Sequence, residues 1–334
     1  MEYRTLGRTG VQVSRLCFGT MSFGGDADEA TSAAMFRRCR AAGINFFDCA
    51  DVYQGGRAEE ILGRVMAGER DELVIATKLG FPMGADPNAR GLSRRHIARA
   101  VEGSLRRLGT DRIDLYFVHL FDPSVPIEET LRALDDLMHA GKVLCLGVSN
   151  RAAWQIATGL GISARHGLAR FECIQPMYNL VKRQAEVEIL PLALAEQTGV
   201  ISYSPLGSGL LSGKYGRTSQ PDRGRLIENR MHRTRYDDPE YRDIAERFIA
   251  HAQARGVHPA TLAVAWVMAH PALTAPIIGA RNPEQLETLL QAAEVAMTPE
   301  WRAEISVLSP EPPPATDRSE ERLGILYAGA KEKE

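Results

Sequence analysis

The stretch NFFDCADVYQGGRAEEILG, Asn45 to Gly63, decides how this chain is read. A short apolar run, Asn45 to Phe47, reads as a buried strand, and it ends on a carboxylate, Asp48. Tyr53 follows five residues later, then the pair Gly55-Gly56. Beyond them Ala58, Ile61, Leu62 and Val65 form one stripe at helical spacing. Asp48 therefore stands at the exit of a strand and Tyr53 in the loop just past it. In α/β proteins that is where chemistry is carried. Taken alone, the stretch also fits a turn-capping aspartate and an ordinary rim tyrosine, so the decision rests on the rest of the chain.

Outward from this stretch the same alternation recurs. Towards the N-terminus, Tyr3 to Leu6 and Val11 to Val13 flank a Gly-rich turn at Gly7 to Gly10, which suggests a hairpin. Arg15 to Thr20 is a further apolar run, and Asp28 to Ala42 is helical. Towards the C-terminus come Leu73 to Thr77, Ile113 to Val118, Val143 to Val148, Phe171 to Ile174, Val200 to Tyr203 and Ala275 to Ile278, all strand-like. Between them lie helical segments: Ser93 to Leu108, Ile127 to Ala140, Ala152 to Leu160, Glu186 to Gln197, Pro239 to Arg255, Pro259 to Ala269 and Pro283 to Ala292. Ser93 is an expected N-cap, and Gly109, Gly141 and Gly199 are expected stops.

Continuously apolar strands have both faces buried, which is the parallel case. About eight such strand–helix units close most simply as a (β/α)8 TIM barrel, here with an N-terminal β-hairpin. An open doubly wound sheet is the alternative. The absence of GxGxxG at the first strand–helix turn weighs against a dinucleotide-binding version of it. Leu210 to Asp238, after the seventh barrel strand, reads as a long basic loop with Lys214, Arg223 and Arg225. One barrel domain is expected over residues 1–309. A C-terminal tail over 310–334 is expected to be poorly ordered, apart from a docking turn at Leu323 to Tyr327.

The bulk numbers bound the partners. The chain has 334 residues, 44% of them hydrophobic and 25% charged, which is ordinary globular usage. Lys plus Arg is 40 against Asp plus Glu 42, for a formal net charge of -2. That balance points to no nucleic acid and no anionic membrane as obligate partner. The 5 cysteines are odd in number and none is spaced CxxC, which argues for a reducing compartment and against a disulfide framework or zinc knuckle. With no apolar leader and no run of spanning length, the expectation is a cytoplasmic protein. Homo-oligomerisation stays open.

The strand ends carry the functional signal. They present Gly19-Thr20, Asp48, Lys78, His119, Ser149-Asn150, Gln175, Tyr203-Ser204 and Gly279-Ala280, all on one rim. A lysine at the end of an apolar strand needs a carboxylate, and Asp48 is one strand away. The ammonium is expected to lower the pKa of Tyr53 and make it a general acid or base. His119 adds a donor for a substrate oxygen. Each residue has a plainer structural reading, as an ion pair or a satisfied core histidine. Four together on adjacent strand ends outweigh those readings. Met21, Phe23, Phe81, Phe121 and Tyr178 are the expected pocket walls, and no HxH pair supports a metal site.

At this point the chain resembles an aldo-keto reductase over nearly its full length. The resemblance rests on FDCADVY (Phe47 to Tyr53), ATKLG (Ala76 to Gly80), DLYFVHLFDP (Asp114 to Pro123) and GVSN (Gly147 to Asn150). It continues in SYSPLGSGLLSGKY (Ser202 to Tyr215) and PIIGARNPEQLE (Pro276 to Glu287). It implies an Asp-Tyr-Lys-His tetrad at Asp48, Tyr53, Lys78 and His119. It also implies NADPH, with NADH as the lesser option, laid across the barrel mouth. By resemblance Ser149, Asn150 and Gln175 hold the carboxamide and Tyr203 stacks on the nicotinamide. Ser204, Pro205, Leu206, Ser208, Gly209 and Lys214 take the pyrophosphate. Ile278, Gly279, Ala280, Arg281 and Gln285 surround the adenosine phosphate. Gly19, Thr20, Met21 and Arg225 complete the expected cofactor contacts.

The chemistry agrees with that assignment: an aromatic face suits a ring, glycines admit phosphate, and an arginine fork suits a 2′-phosphate. Two positions depart from the family pattern. Cys49 stands where Thr is usual, and Thr288-Leu289 stands where Glu-Asn is usual at the adenine end. The implied activity is reduction of a small-molecule aldehyde or ketone. The rival readings are an NAD(P)+-dependent sugar or alcohol dehydrogenase, and a redox-sensing auxiliary subunit that binds the cofactor.

Overall fold

The computed structural model describes residues 1–215, 221–222, 224–316 and 318. Arg223, the expected turn at Leu323 to Tyr327 and the charged C-terminal end lie outside the described residues.

The hairpin pairs β1 (Tyr3–Thr5) with β2 (Gln12–Ser14), antiparallel. Its turn approaches the start of two barrel strands. A Cβ on Gly7, at φ +53, would lie 2.7 Å from the Glu172 carbonyl and 2.8 Å from the Gly199 nitrogen. Only glycine tolerates both that backbone and that approach. Leu6 and Val13 join Phe46, Leu115, Phe117 and Ile201 in the barrel's inner core. The hairpin therefore plugs the end of the barrel opposite the expected site.

Eight parallel strands follow: β3 (Cys17–Gly19), β4 (Phe46–Asp48), β5 (Val74–Leu79), β6 (Ile113–Val118), β7 (Val143–Ser149), β8 (Phe171–Gln175), β9 (Gly199–Ser202) and β10 (Ala275–Ile278). They pair in sequence order, and β10 closes on β3. The fold is the (β/α)8 barrel expected, with the hairpin added. On β6, Leu115 and Phe117 point inward while Tyr116 and Val118 pack outward against helices, so both faces are apolar.

The helices follow their caps. Asp28 caps α1 (Glu29–Ala41) by accepting from the Thr31 amide. After α2 (Arg57–Val65), Ser93 caps α3 (Arg94–Leu108), and Gly109 ends it in a left-handed conformation. α4 (Ile127–His139) packs beside α3, and α5 (Ala153–His166) beside α4. Next, α6 (Ile189–Ala195) is shorter than expected. Pro191 has no N–H to give and belongs in a first turn, and Glu186 before it is tied up by Arg183 and Tyr178.

The basic segment after β9 is not wholly a loop; it contains α7 (Arg225–Glu228) and α8 (Arg230–Arg235). Then come α9 (Pro239–Ala254), α10 (Pro259–Met268) and α11 (Pro283–Leu290). Last is α12 (Pro299–Ser306), which starts with a Thr298 cap and proline at its first position. No described helix is long and apolar enough to cross a membrane.

Candidate active site

Parallel register brings the rim residues level. Gly19 sits opposite Asp48, and Lys78 sits opposite Phe117. His119 follows one residue past the end of β6, its amide bonded to the Leu79 carbonyl at 2.9 Å. Tyr53 is delivered by a tight turn over Tyr53–Gly56. Gln54 (φ 50) and Gly55 (φ 64) are left-handed there.

These placements converge on one ammonium. Lys78 is fully buried, and its Nζ donates to Asp48 Oδ2 at 2.6 Å, the Cys49 carbonyl at 2.7 Å and Tyr53 Oη at 3.2 Å. Three donors meet three acceptors, so the buried charge is satisfied. Asp48 Oδ1 accepts from Gln175 Nε2 at 2.9 Å, which fixes the carboxylate from across the barrel. Position 49 serves through its backbone carbonyl, so Cys in place of Thr leaves this contact intact.

The electrostatics differ in one respect from the sequence expectation. Burial alone would lower the Lys78 pKa; Asp48 and Tyr53 outweigh it and hold the ammonium protonated well above its ordinary range. Tyr53, however, is raised and not lowered: loss of solvent and the Asp48 charge exceed the pull of Lys78. The phenol is thus protonated at neutral pH with an ammonium against its oxygen. Burial, with Lys78 second, pushes His119 well below its ordinary value, so the imidazole is neutral. Its Nδ1 has no partner among the described residues, and Phe81 meets its ring edge-on with centroids 4.7 Å apart.

Tyr53 and His119 face a cavity of about 700 Å3. Its far side is formed by the turn after β9, where the left-handed residues Ser204 (φ 58), Ser208 (φ 58) and Gly209 (φ 95) line the cavity. Tyr203 Oη donates to Asn150 Oδ1 at 2.8 Å, and Ser149 Oγ donates to the Gln175 carbonyl at 3.0 Å. Lys214, Arg225 and Arg281 all reach this wall. Burial and the two arginines lower Lys214, and burial and Arg281 lower Arg225. Of the three, Arg281 pairs with Asp26 at 2.9 Å and with Glu228 at 3.7 Å. Cations crowded into a concavity favour a polyanion.

The model of the aldo/keto reductase family matches residues 15–309. The chain belongs to the aldo/keto reductase family. Members generally use NAD(P)H and act on small carbonyl compounds. The chain is 37% identical to the uncharacterized oxidoreductase YrpG of Bacillus subtilis (strain 168), across 93% of this chain and 97% of that one. It is 37% identical to a probable voltage-gated potassium channel subunit beta of Oryza sativa subsp. japonica, across 95% and 99%. It is 32% identical to versiconal hemiacetal acetate reductase of Aspergillus parasiticus, across 90% and 94%.

In this aldo/keto reductase most residues picked from the sequence line the one cavity, from Gly19 and Met21 to Arg281 and Gln285. Lys78, Thr20 and Ala280 do not; all three are buried behind the rim, Lys78 reaching it through Tyr53 and Thr20 bonded to the Asp48 carbonyl. Among the expected walls, Met21 and Phe81 line the cavity. Phe23 and Tyr178 are in the core, and Phe121 is exposed under the Arg151 guanidinium.

The sequence reading missed His232 and Arg235 on α8, and Val52 beside Tyr53, which also line the cavity. His232 Nδ1 meets Ser208 Oγ at 2.7 Å and so ties α8 to the turn after β9. Nothing in the local pattern marks that histidine. Val52 stood inside the quoted motif and was the one findable from it.

Proposed function

We propose that this protein reduces an aldehyde or ketone to the alcohol with NADPH, and that Tyr53 is the general acid. The observation that carries the reading is the Lys78 ammonium bonded at once to Asp48 and Tyr53 beside a cavity of about 700 Å3.

The residues present suit that cofactor. Lys214, Arg225, Arg281 and the opened backbone at Ser208 and Gly209 would hold phosphates. Tyr203 would face the nicotinamide ring, and Ser149, Asn150 and Gln175 its carboxamide. Bound there, NADPH supplies a hydride to the carbonyl carbon. The chain's own part is the proton. Tyr53 gives its phenolic proton to the carbonyl oxygen, so carbonyl, hydride and proton together make the alcohol. The phenolate left behind is held by Lys78 at 3.2 Å. Asp48 keeps that ammonium charged throughout. His119, neutral, donates an N–H to the carbonyl oxygen and orients it.

NADPH oxidation should be followed with a panel of aldehydes and ketones for wild type and Tyr53→Phe. Loss of the acid should lower kcat by at least about a hundredfold. Equal rates would remove Tyr53 from the role.

A second reading is favoured by the relatives named as potassium channel beta subunits. In it the protein binds cofactor as the auxiliary part of a larger assembly. Turnover measured together with particle size separates the two: turnover by a particle of this chain alone supports the reductase.

A further inference from the structure

Beside the main cavity, on the outer side of β8, lies a second one of about 200 Å3. Asn150 and Gln175 form walls of both. Arg151 and Lys182 are among its lining residues, and no acidic residue lines it among the described residues. Its other walls, Ile174, Met177 and Ile189 among them, are mostly apolar.

Arg151 is the anomaly. It is 8% exposed, its Nε has no hydrogen-bond partner, and it forms no ion pair among the described residues. Its guanidinium carbon lies 4.8 Å from the Phe121 ring centroid, which is its visible compensation. Asp122 attracts it from a distance. That carboxylate is already committed to the amides of Leu92 and Ser124 and to the Ser124 hydroxyl. Lys182 has no carboxylate partner among the described residues; its Nζ donates to Tyr241 Oη at 2.8 Å and keeps two further N–H groups. A buried guanidinium with no carboxylate paired to it among the described residues is costly, and an anion in the cavity would relieve the cost.

We infer that this cavity is a binding site for a small carboxylate or phosphate, held between Arg151 and Lys182 next to the catalytic centre. Its walls reach the centre directly, because Gln175 also holds Asp48. The anion has two sources: a free solute, or the charged end of the carbonyl substrate. The inference is independent of Tyr53 acting as the acid, which is read out by turnover of an uncharged aldehyde.

Calorimetric titration of the whole protein with inorganic phosphate and with succinate, at constant ionic strength set by chloride, is the first measurement. The second compares KM for benzaldehyde and 4-carboxybenzaldehyde. Each is made on wild type, Arg151→Met and Lys182→Met. Saturable binding of phosphate or succinate that weakens at least tenfold in both variants supports a free-solute site. A lower KM for the carboxylated aldehyde that both variants erase supports the substrate's charged end. Absence of both effects in wild type, or their persistence in Arg151→Met, overturns the site. Without added anion Arg151→Met should melt no lower than wild type, since an unpaired buried charge is removed. Should it fail to fold, Lys182→Met decides by the same comparison.

Discussion

Asp51, two residues before Tyr53, is 1% exposed, and neither carboxylate oxygen has a hydrogen-bond partner among the described residues. Burial, then the Glu59 carboxylate on α2, raises its pKa from 3.8 to about 7; Arg107 on α3, the nearby Val52 amide and Lys78 on β5 oppose the shift only in part. A carboxyl raised in the folded state carries no penalty below its unfolded value near 3.8. The penalty grows as pH rises from there and is complete above about 7. Its slope in that window is of order 1 kcal/mol per pH unit. Asp51→Asn removes this term whatever fixed cost the amide brings. The variant should therefore gain stability relative to wild type between pH 5 and pH 8, by more than about 1 kcal/mol. Urea midpoints for both proteins at the two pH values measure it, and parallel pH dependences would count against a protonated Asp51. The same balance explains the Tyr53 correction: the sequence shows the ammonium but not the depth of burial, and burial won.

Between β6 and β7 the packing that positions His119 depends on a missing side chain. Gly147 pairs with Phe117 across the two strands, and a Cβ on Gly147 would lie 2.4 Å from the Phe117 ring. Phe117 fills the barrel interior opposite Lys78, two residues before His119. Gly147→Ala must push that ring and the strand end behind it, at a cost of about 1–3 kcal/mol. A lower urea midpoint together with a reduced kcat is the expected pair of results; unchanged stability would mean the ring relaxes freely. Elements like these were legible from the sequence, because doubly buried strands read as unbroken apolar runs such as Ile113 to Val118. The helices of regular period, capped by Ser93 or started by Pro239 and Pro259, were legible too. Where local signals are weak the reading failed: α7 and α8 are short and polar, and α6 begins only where Pro191 permits. The contact of α8 with Ser208 through His232 joins residues 24 apart and leaves no periodic trace.

At the scale of the molecule, the parallel barrel turns one-dimensional order into a ring, and so the gathering of Asp48, Lys78 and His119 at one rim was legible. Asp48 ends β4, Lys78 is last but one in β5 and His119 follows β6 at once, and neighbouring strands end side by side. Pocket walls were less legible, since whether Phe23 or Tyr178 faces the cavity depends on side-chain packing that spacing alone does not reveal. Charge follows the same division between sum and place. The whole chain is formally -2 at pH 7, which taken as a point charge would repel a nucleotide with several phosphates. Lys214, Arg225 and Arg281 are instead gathered at the cavity, where low-dielectric walls concentrate their field. The two views predict opposite salt effects on the association rate. If net charge governs, added salt screens repulsion and binding speeds up. If the local cluster governs, salt screens attraction, over a Debye length of about 8 Å at 0.15 M, and binding slows. Stopped-flow quenching of protein fluorescence by NADPH from 0.02 to 0.5 M salt, concentrations of about the range where screening changes most, should show slowing. Arg281→Ala should flatten that slope for NADPH more than for NADH, which lacks the 2′-phosphate. A rate that rises with salt would mean that the cluster does not steer the cofactor.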